Sequence, residues 1–278
     1  NSVTAHGGAI RVDGDTHLII DNSIIRNNYA TAVGAAIQIY SGDMTAKNLL
    51  VYGNDNDSEY GVISVAGEGT TVIKNSTIVD SKKIPLLLVD GSGYQYNLDV
   101  SNSILNGQGD LVREREGTSV SITYSITHVA YAGEGNINVN PMFVDTTNGN
   151  YHLKDWSPAI GAGTASGAPT TDIEGNPRPN PAGSNPDMGA FENKWGTPQN
   201  APPVLSEIAD VSVNEDESIT VTLEAINADN ADNDAITFSA SSEKSEVKLS
   251  MGSSSGKVNI SADENWNGLS KISVEATD

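Results

Sequence analysis

Apolar and polar residues alternate along the first half of the chain, and the alternation breaks at regular intervals on an asparagine. Four stretches share this form: LIIDN at 18–22, MTAKN at 44–48, TVIKN at 71–75 and LDVSN at 98–102. Asn22, Asn48, Asn75 and Asn102 are therefore spaced 26, 27 and 27 residues apart. Two residues before each asparagine stand Ile20, Ala46, Ile73 and Val100, and four before stand Leu18, Met44, Thr71 and Leu98. The positions between are polar: Asp21, Lys47, Lys74 and Ser101. Side chains alternate across a strand, so the apolar columns and the asparagines are expected inside and the third column in water.

Apolar residues resume after each asparagine, at Ile24 and Ile25, Leu50 and Val51, Ile78, and Ile104 and Leu105. A third strand type is visible as GAIRV at 8–12, AAIQI at 35–39, GVISV at 61–65 and LLLV at 86–89. Three strands and three turns fill about one such repeat, which predicts a coil of about five rungs over 1–140. A buried amide needs hydrogen-bond partners, and a stack of asparagines supplies them while tolerating the left-handed backbone of a sharp bend. The fifth rung, SVSITYSI at 119–126, places Tyr124 where the next asparagine would fall.

The stacked columns resemble the pectate-lyase-like superfamily of right-handed parallel β-helices, over roughly residues 1–144. The following segment, 141–192, resembles the choice-of-anchor Q segment that closes many bacterial β-helix proteins. Pro141–Phe143, Ser157-Pro158-Ala159-Ile160 with Gly163, Asp172…Gly175…Arg178 and Asp187-Met188-Gly189-Ala190-Phe191-Glu192 carry that likeness. Asp172, Arg178 and Asp187 are expected to act structurally, an arginine–carboxylate pair pinning a cap over the last apolar rung. Trp156, Phe143 and Phe191 would supply apolar contacts, and His152 packing rather than catalysis.

Residues 193–203 (NKWGTPQNAPP) have linker composition. From 204 to 278 short alternating strands predict an antiparallel β-sandwich, so the fold class expected for the whole chain is all-β. This module resembles the cadherin-like, immunoglobulin-like repeats of bacterial surface proteins, through Asn214-Glu215-Asp216-Glu217, NADNADNDAITF and ENWNGLSKISVEATD. It holds 15 acidic and 4 basic residues, whereas the chain holds 36 and 15 and carries −21. Clustered carboxylates suit calcium, which takes six to eight oxygen ligands. Glu215, Asp216, Asp229, Asp232, Asp234 and Asp278 are the candidates, without EF-hand spacing. A solvated acidic loop is the competing reading.

The acidic balance disfavours nucleic acid and anionic membrane surfaces as partners. No stretch approaches the roughly 18 apolar residues of a membrane span. Cysteine is absent. The chain opens at Asn1 inside repetitive sequence, which suggests a fragment of a secreted or cell-surface protein with further modules on both sides.

Lyases of the resembled superfamily need a cation or carboxylate-held calcium and an arginine or lysine base. The outward positions of the third strand type offer Arg11, Asp13, Gln38, Tyr40 and Ser64; those of the ladder strands offer Asp21, Lys47 and Lys74. Arg11, Gln38, Tyr40, Lys47 and Lys74 are the candidates for contact with a polysaccharide or cell-surface glycan. They form no recognisable acid–base set, and Asp13 with Asp15 shares one turn. Asp55, Asp57 and Glu59 read as a solvated loop, and His6, His17 and His128 as surface residues. Tyr52, Tyr60, Tyr94 and Tyr96 are expected at turns, where their rings could stack on sugar faces or simply cover the edge of the core. Two functions follow: a non-catalytic glycan-contacting stalk with an acidic spacer, or a polysaccharide lyase or glycoside hydrolase with its active rungs largely outside this stretch.

Overall fold

The computed structural model describes residues 2–3, 7–56, 60–79, 86–91, 93–214, 216–226, 235–251 and 256–278. It divides into two compact units, 1–199 and 200–278. The first unit is a parallel β-solenoid of about four turns. Five parallel strands stack in its first sheet: Ile10–Asp13, Ile37–Tyr40, Ile63–Ala66, Leu87–Asp90 and Val112–Glu114. The first four overlap the third-strand stretches read from the sequence, and the solenoid has about four turns where about five rungs were expected.

The ladder strands form the second face. His17–Arg26 and Asp43–Tyr52 run through the bend as single long strands. On later rungs the same path splits into pairs, Gly69–Lys74 with Thr77–Val79 and Tyr96–Ser101 with Ile104–Asn106. The bend residue is left-handed on every rung: φ is 47° at Asn22, 50° at Asn48, 45° at Asn75, 51° at Asn102 and 47° at Tyr124. Asparagine reaches this region more readily than other non-glycine residues, which explains the column.

Inside the coil, Ile37, Ile39, Met44, Ala46, Ile63, Ile73, Leu98 and Val100 pack in one buried cluster. Tyr96 belongs to it. Contrary to its expected place at a turn, its ring is fully buried, and its register partner on the previous rung is Gly69. Its hydroxyl donates to the Gly42 carbonyl at 3.1 Å and lies 3.0 Å from Thr71 Oγ1. Burial pushes the phenol up to about 12.

A second ladder of serines runs beside the asparagines. The backbone N–H of Leu49 donates to Ser76 Oγ at 3.1 Å, that of Ser76 to Ser103 Oγ at 3.2 Å, and that of Ser103 to Ser125 Oγ at 3.1 Å. Each of these hydroxyls in turn donates to the carbonyl two residues before it. The bend turns these N–H groups away from ordinary strand pairing, and the buried serines satisfy them.

Residues 141–192 do not close the end of the coil as expected. The last rung is covered by 128–140, where Tyr131 packs on the core and Asn136 Oδ1 accepts the Ser125 N–H at 3.1 Å. The 141–192 segment lies along the flank instead. Its hairpin, Phe143–Asp145 and Asn150–Leu153, and its later turns cover the outward residues Leu50, Ile104 and Ile126 with Tyr151, Phe191, Leu153, Ile160 and Met188. Those outward positions are apolar on a face the repeat alone would leave in water, so a flank cover is the physical requirement.

The asparagine column lines this seam rather than the apolar interior. Asn48 donates to the Thr171 carbonyl at 2.9 Å, Asn75 to that of Asp187 at 3.3 Å, and Asn102 to that of Thr164 at 2.7 Å. Asn48, Asn75 and Asn102 are buried and Asn22 is exposed. Asn48 also donates to Asn22 Oδ1 at 2.8 Å, and Asn102 to Asn75 Oδ1 at 3.4 Å.

The second unit is antiparallel. Ser218–Thr222, Lys257–Ala262 and Val247–Met251 form one sheet, Thr237–Ser242 and Ile272–Thr277 another, and Val204–Leu205 pairs with Ala225–Ile226. Leu223, Val258 and Ile260 are its buried centre.

Candidate functional site

Parallel pairing stacks the outward residues of the first sheet into columns. Arg11 stands beside Gln38, Gln38 beside Ser64 and Ser64 beside Leu88. The next column sets Asp13 beside Tyr40, Ala66 and Asp90. A groove of about 350 Å³ runs over them, with Tyr60 and Arg115 also in its wall. Gln38 and Ser64 form a deep floor, 5% and 1% exposed, while Tyr40 and Tyr60 project at 51% and 39%. Gln38 Oε1 and Ser64 Oγ have no hydrogen-bond partner among the described residues. A buried polar atom without a partner costs free energy, so this floor is poised to accept ligand donors.

The charges of the groove are paired. Arg11 Nε meets Asp13 Oδ2 at 2.8 Å, and Asp13 holds the guanidinium more firmly protonated. Arg115 Nη1 meets Asp90 Oδ2 at 2.9 Å, and its guanidinium lies 5.6 Å from the Tyr60 ring centre. The groove thus offers an amide, hydroxyls and partly exposed rings.

Of the sequence-derived glycan candidates, Arg11, Gln38 and Tyr40 share this groove. Lys47 and Lys74 stand on the ladder sheet instead, and Lys74 Nζ lies against Gly167 of the flank segment. Asp90 and Arg115 were missing from the sequence-derived set, and Tyr60 was expected only as a turn residue whose ring could stack on a sugar or cover the core edge. Arg115 directly follows the strand Val112–Glu114 and stands next to Asp90, but that strand is too short and polar for alternation to reveal it.

The flank cluster is denser. Arg178 Nε lies 3.0 Å from Glu192 Oε2 with both side chains fully buried, and Arg178 Nη1 donates to the Gly189 carbonyl at 3.1 Å. Asp172 accepts the N–H groups of Glu174, Asn176 and Glu192 at 2.8–3.0 Å. Asp187 accepts those of Gly161 at 2.8 Å and Asn193 at 2.6 Å. Burial and the neighbouring Glu192 push the Asp187 carboxyl up to about 7, against those N–H groups and Arg178. Burial likewise raises Glu192 and lowers Arg178. Every carboxylate here closes a turn or faces the guanidinium, an arrangement that pins chain. His152 stacks on Phe191 at 4.1 Å, with Nε2 at 3.1 Å from Glu174 Oε2.

Of the calcium candidates, Glu215, Asp229, Asp232 and Asp234 lie outside the described residues, as do His6, Asp57 and Glu59. Asp216 is exposed with φ 64°, and Asp278 accepts from Asn200 Nδ2 at 3.1 Å.

Residues 200–278 match the family model of the bacterial Ig domain. The C-terminal unit is an Ig-like domain. No curated protein and no solved structure matches the chain. The chain joins a parallel β-helix to a bacterial Ig-like domain, and such Ig-like domains are typical of surface or extracellular proteins. Among the described residues no helix is long and apolar enough to cross a membrane.

Proposed function

We propose that the β-helix is a non-catalytic, glycan-contacting stalk of a secreted or cell-surface bacterial protein, and that the Ig-like domain is its calcium-stabilised spacer. The unpartnered Gln38 Oε1 and Ser64 Oγ on the groove floor carry the glycan reading. Sugar hydroxyls donate to such acceptors, and the exposed edges of Tyr40 and Tyr60 suit the apolar faces of pyranose rings. Non-catalysis is supported by the pairing of Arg11 with Asp13 and Arg115 with Asp90, which engages both groove arginines with carboxylates. The calcium reading rests on charge alone, 15 acidic residues in the last 75. The likenesses to pectate-lyase-like and choice-of-anchor Q proteins support an extracellular setting.

Native-gel retardation by immobilised neutral and acidic polysaccharides tests this function. Retardation that weakens in Gln38→Ala and Tyr40→Ala variants is expected. Release of unsaturated product absorbing in the ultraviolet, or of reducing ends, would replace the stalk by a lyase or hydrolase.

A further inference from the structure

The flank segment buries the coil from the second rung on but leaves the first rung largely open. Parallel register sets Ile24, Leu50, Thr77, Ile104 and Ile126 in one outward column just past the bend. Leu50, Thr77, Ile104 and Ile126 are at most 2% exposed, whereas Ile24 is 56% exposed. The asparagine column changes at the same place. Asn48, Asn75 and Asn102 each donate to a carbonyl of the flank segment, those of Thr171, Asp187 and Thr164. The exposed Asn22 accepts from Asn48 at 2.8 Å, but its own amide meets no acceptor among the described residues.

At the second rung the cover has a simple form. The Thr171 carbonyl takes the Asn48 amide at 2.9 Å, and two residues on, Ile173 packs against the cluster of Leu50, Tyr151 and Phe191. One rung earlier a groove of about 580 Å³ runs over Asn22 and Ile24, walled by Leu50, Tyr52, Ile173 and Phe191. It has the same two elements as the covered slot, an amide donor at the bend and an aliphatic side chain two positions later. Exposed apolar surface continuous with a buried seam marks a binding face.

We infer that the first rung docks an extended peptide segment of a partner protein, which presents a backbone carbonyl to Asn22 and, two residues on, an aliphatic side chain to Ile24. The occupant follows from continuity with the interface this chain already makes with its own residues. A peptide carbonyl is what each buried ladder amide takes from the flank, and apolar side chains such as Leu153, Ile160, Met188 and Phe191 are what cover the rest of the column. In such recognition main-chain hydrogen bonds give affinity and the side-chain slot gives specificity. The inference goes beyond the glycan reading and shares no residue with the first-sheet groove.

Amide and methyl NMR titration of the whole chain with the capped peptide TTNIQ, which is the TTDIE of 170–174 with both acids made neutral, tests the inference. Millimolar binding is expected for so short a segment, read as shifts of the Asn22 side-chain amide and the Ile24 methyls. The peptide TTNAQ should bind about tenfold or more weakly, and so should TTNIQ to Ile24→Ser, because aliphatic burial is lost. Asn22→Asp tolerates the left-handed bend and still accepts from Asn48 but no longer donates, and should weaken binding about fivefold. Gln38→Ala should bind the peptide unchanged, which separates failure here from failure of the glycan reading. No shift with peptide, shifts confined to Asn48 and Leu50, equal affinity in Ile24→Ser, or loss of binding in Gln38→Ala would each overturn it. A sedimenting mass that grows with protein concentration and stays monomeric in Ile24→Ser would put a second copy of the chain on this face instead.

Discussion

Arg178 and Glu192 meet at 3.0 Å where neither side chain reaches water, and Asp172 and Asp187 share the same buried setting. Removing the guanidinium leaves buried carboxylates facing each other without a counter-charge. Breaking such a pair costs on the order of 3–5 kcal/mol. Arg178→Met is therefore expected to lower the unfolding midpoint of the β-helix unit in denaturant. An unchanged midpoint would show that the flank segment is held by its apolar contacts alone.

The same cluster makes stability depend on pH. Asp187 titrates near 7 in the folded protein, against an ordinary value of 3.8, and Glu192 is raised as well. Between these values the folded chain holds protons that the unfolded chain has released. The resulting stabilisation is fully present below the ordinary carboxylate value and is lost as pH rises through about 7. Asp145 and Asp155 are shifted down, so their effect falls below this window. The melting temperature should be higher at a pH of about 5 than about 8, and Asp187→Asn should flatten that difference. An undiminished slope in the variant would assign the effect elsewhere.

Ser103 accepts the N–H of Ser76 at 3.2 Å in a fully buried position. Ser103→Ala leaves that donor unsatisfied, at a cost of about 1–3 kcal/mol. Ser121→Ala, on an exposed position of the last rung, should cost far less. Chemical denaturation of both variants compares them directly; equal stabilities would dismiss the serine ladder as a source of stability.

Calcium at the Ig-like domain should raise the melting temperature of the 200–278 unit, and a chelator should reverse the rise. A melting temperature indifferent to both removes calcium from the spacer.

The coil was legible because it repeats. A column such as Ile20, Ala46, Ile73 and Val100 shows its inward side directly, and Asn22, Asn48, Asn75 and Asn102 mark where the backbone turns left-handed. The serine column was equally present in the sequence, yet Leu49 interrupts it and small polar residues read as ordinary turn composition. Tyr96 was misplaced because a tyrosine beside a glycine-rich loop looks exposed, whereas its ring occupies interior space beside Gly69. The first-sheet groove was half legible: alternation finds Arg11, Gln38 and Tyr40, but Arg115 directly follows Val112–Glu114, a strand too short and polar to stand out in the sequence.

By itself the sequence determined the parallel coil, its period, its bends and the separate C-terminal sandwich, because each follows from local alternation and from what asparagine tolerates in the backbone. The tertiary structure decided where residues 141–192 go and therefore what the asparagines do. An irregular segment has no period to reveal its partner. Its place is set by the outward apolar positions it covers, Leu50, Ile104 and Ile126, and by carbonyls such as those of Thr171, Asp187 and Thr164 that meet the ladder amides. The same packing brings Tyr151 onto Tyr52, a relationship between residues 99 positions apart that no local pattern encodes.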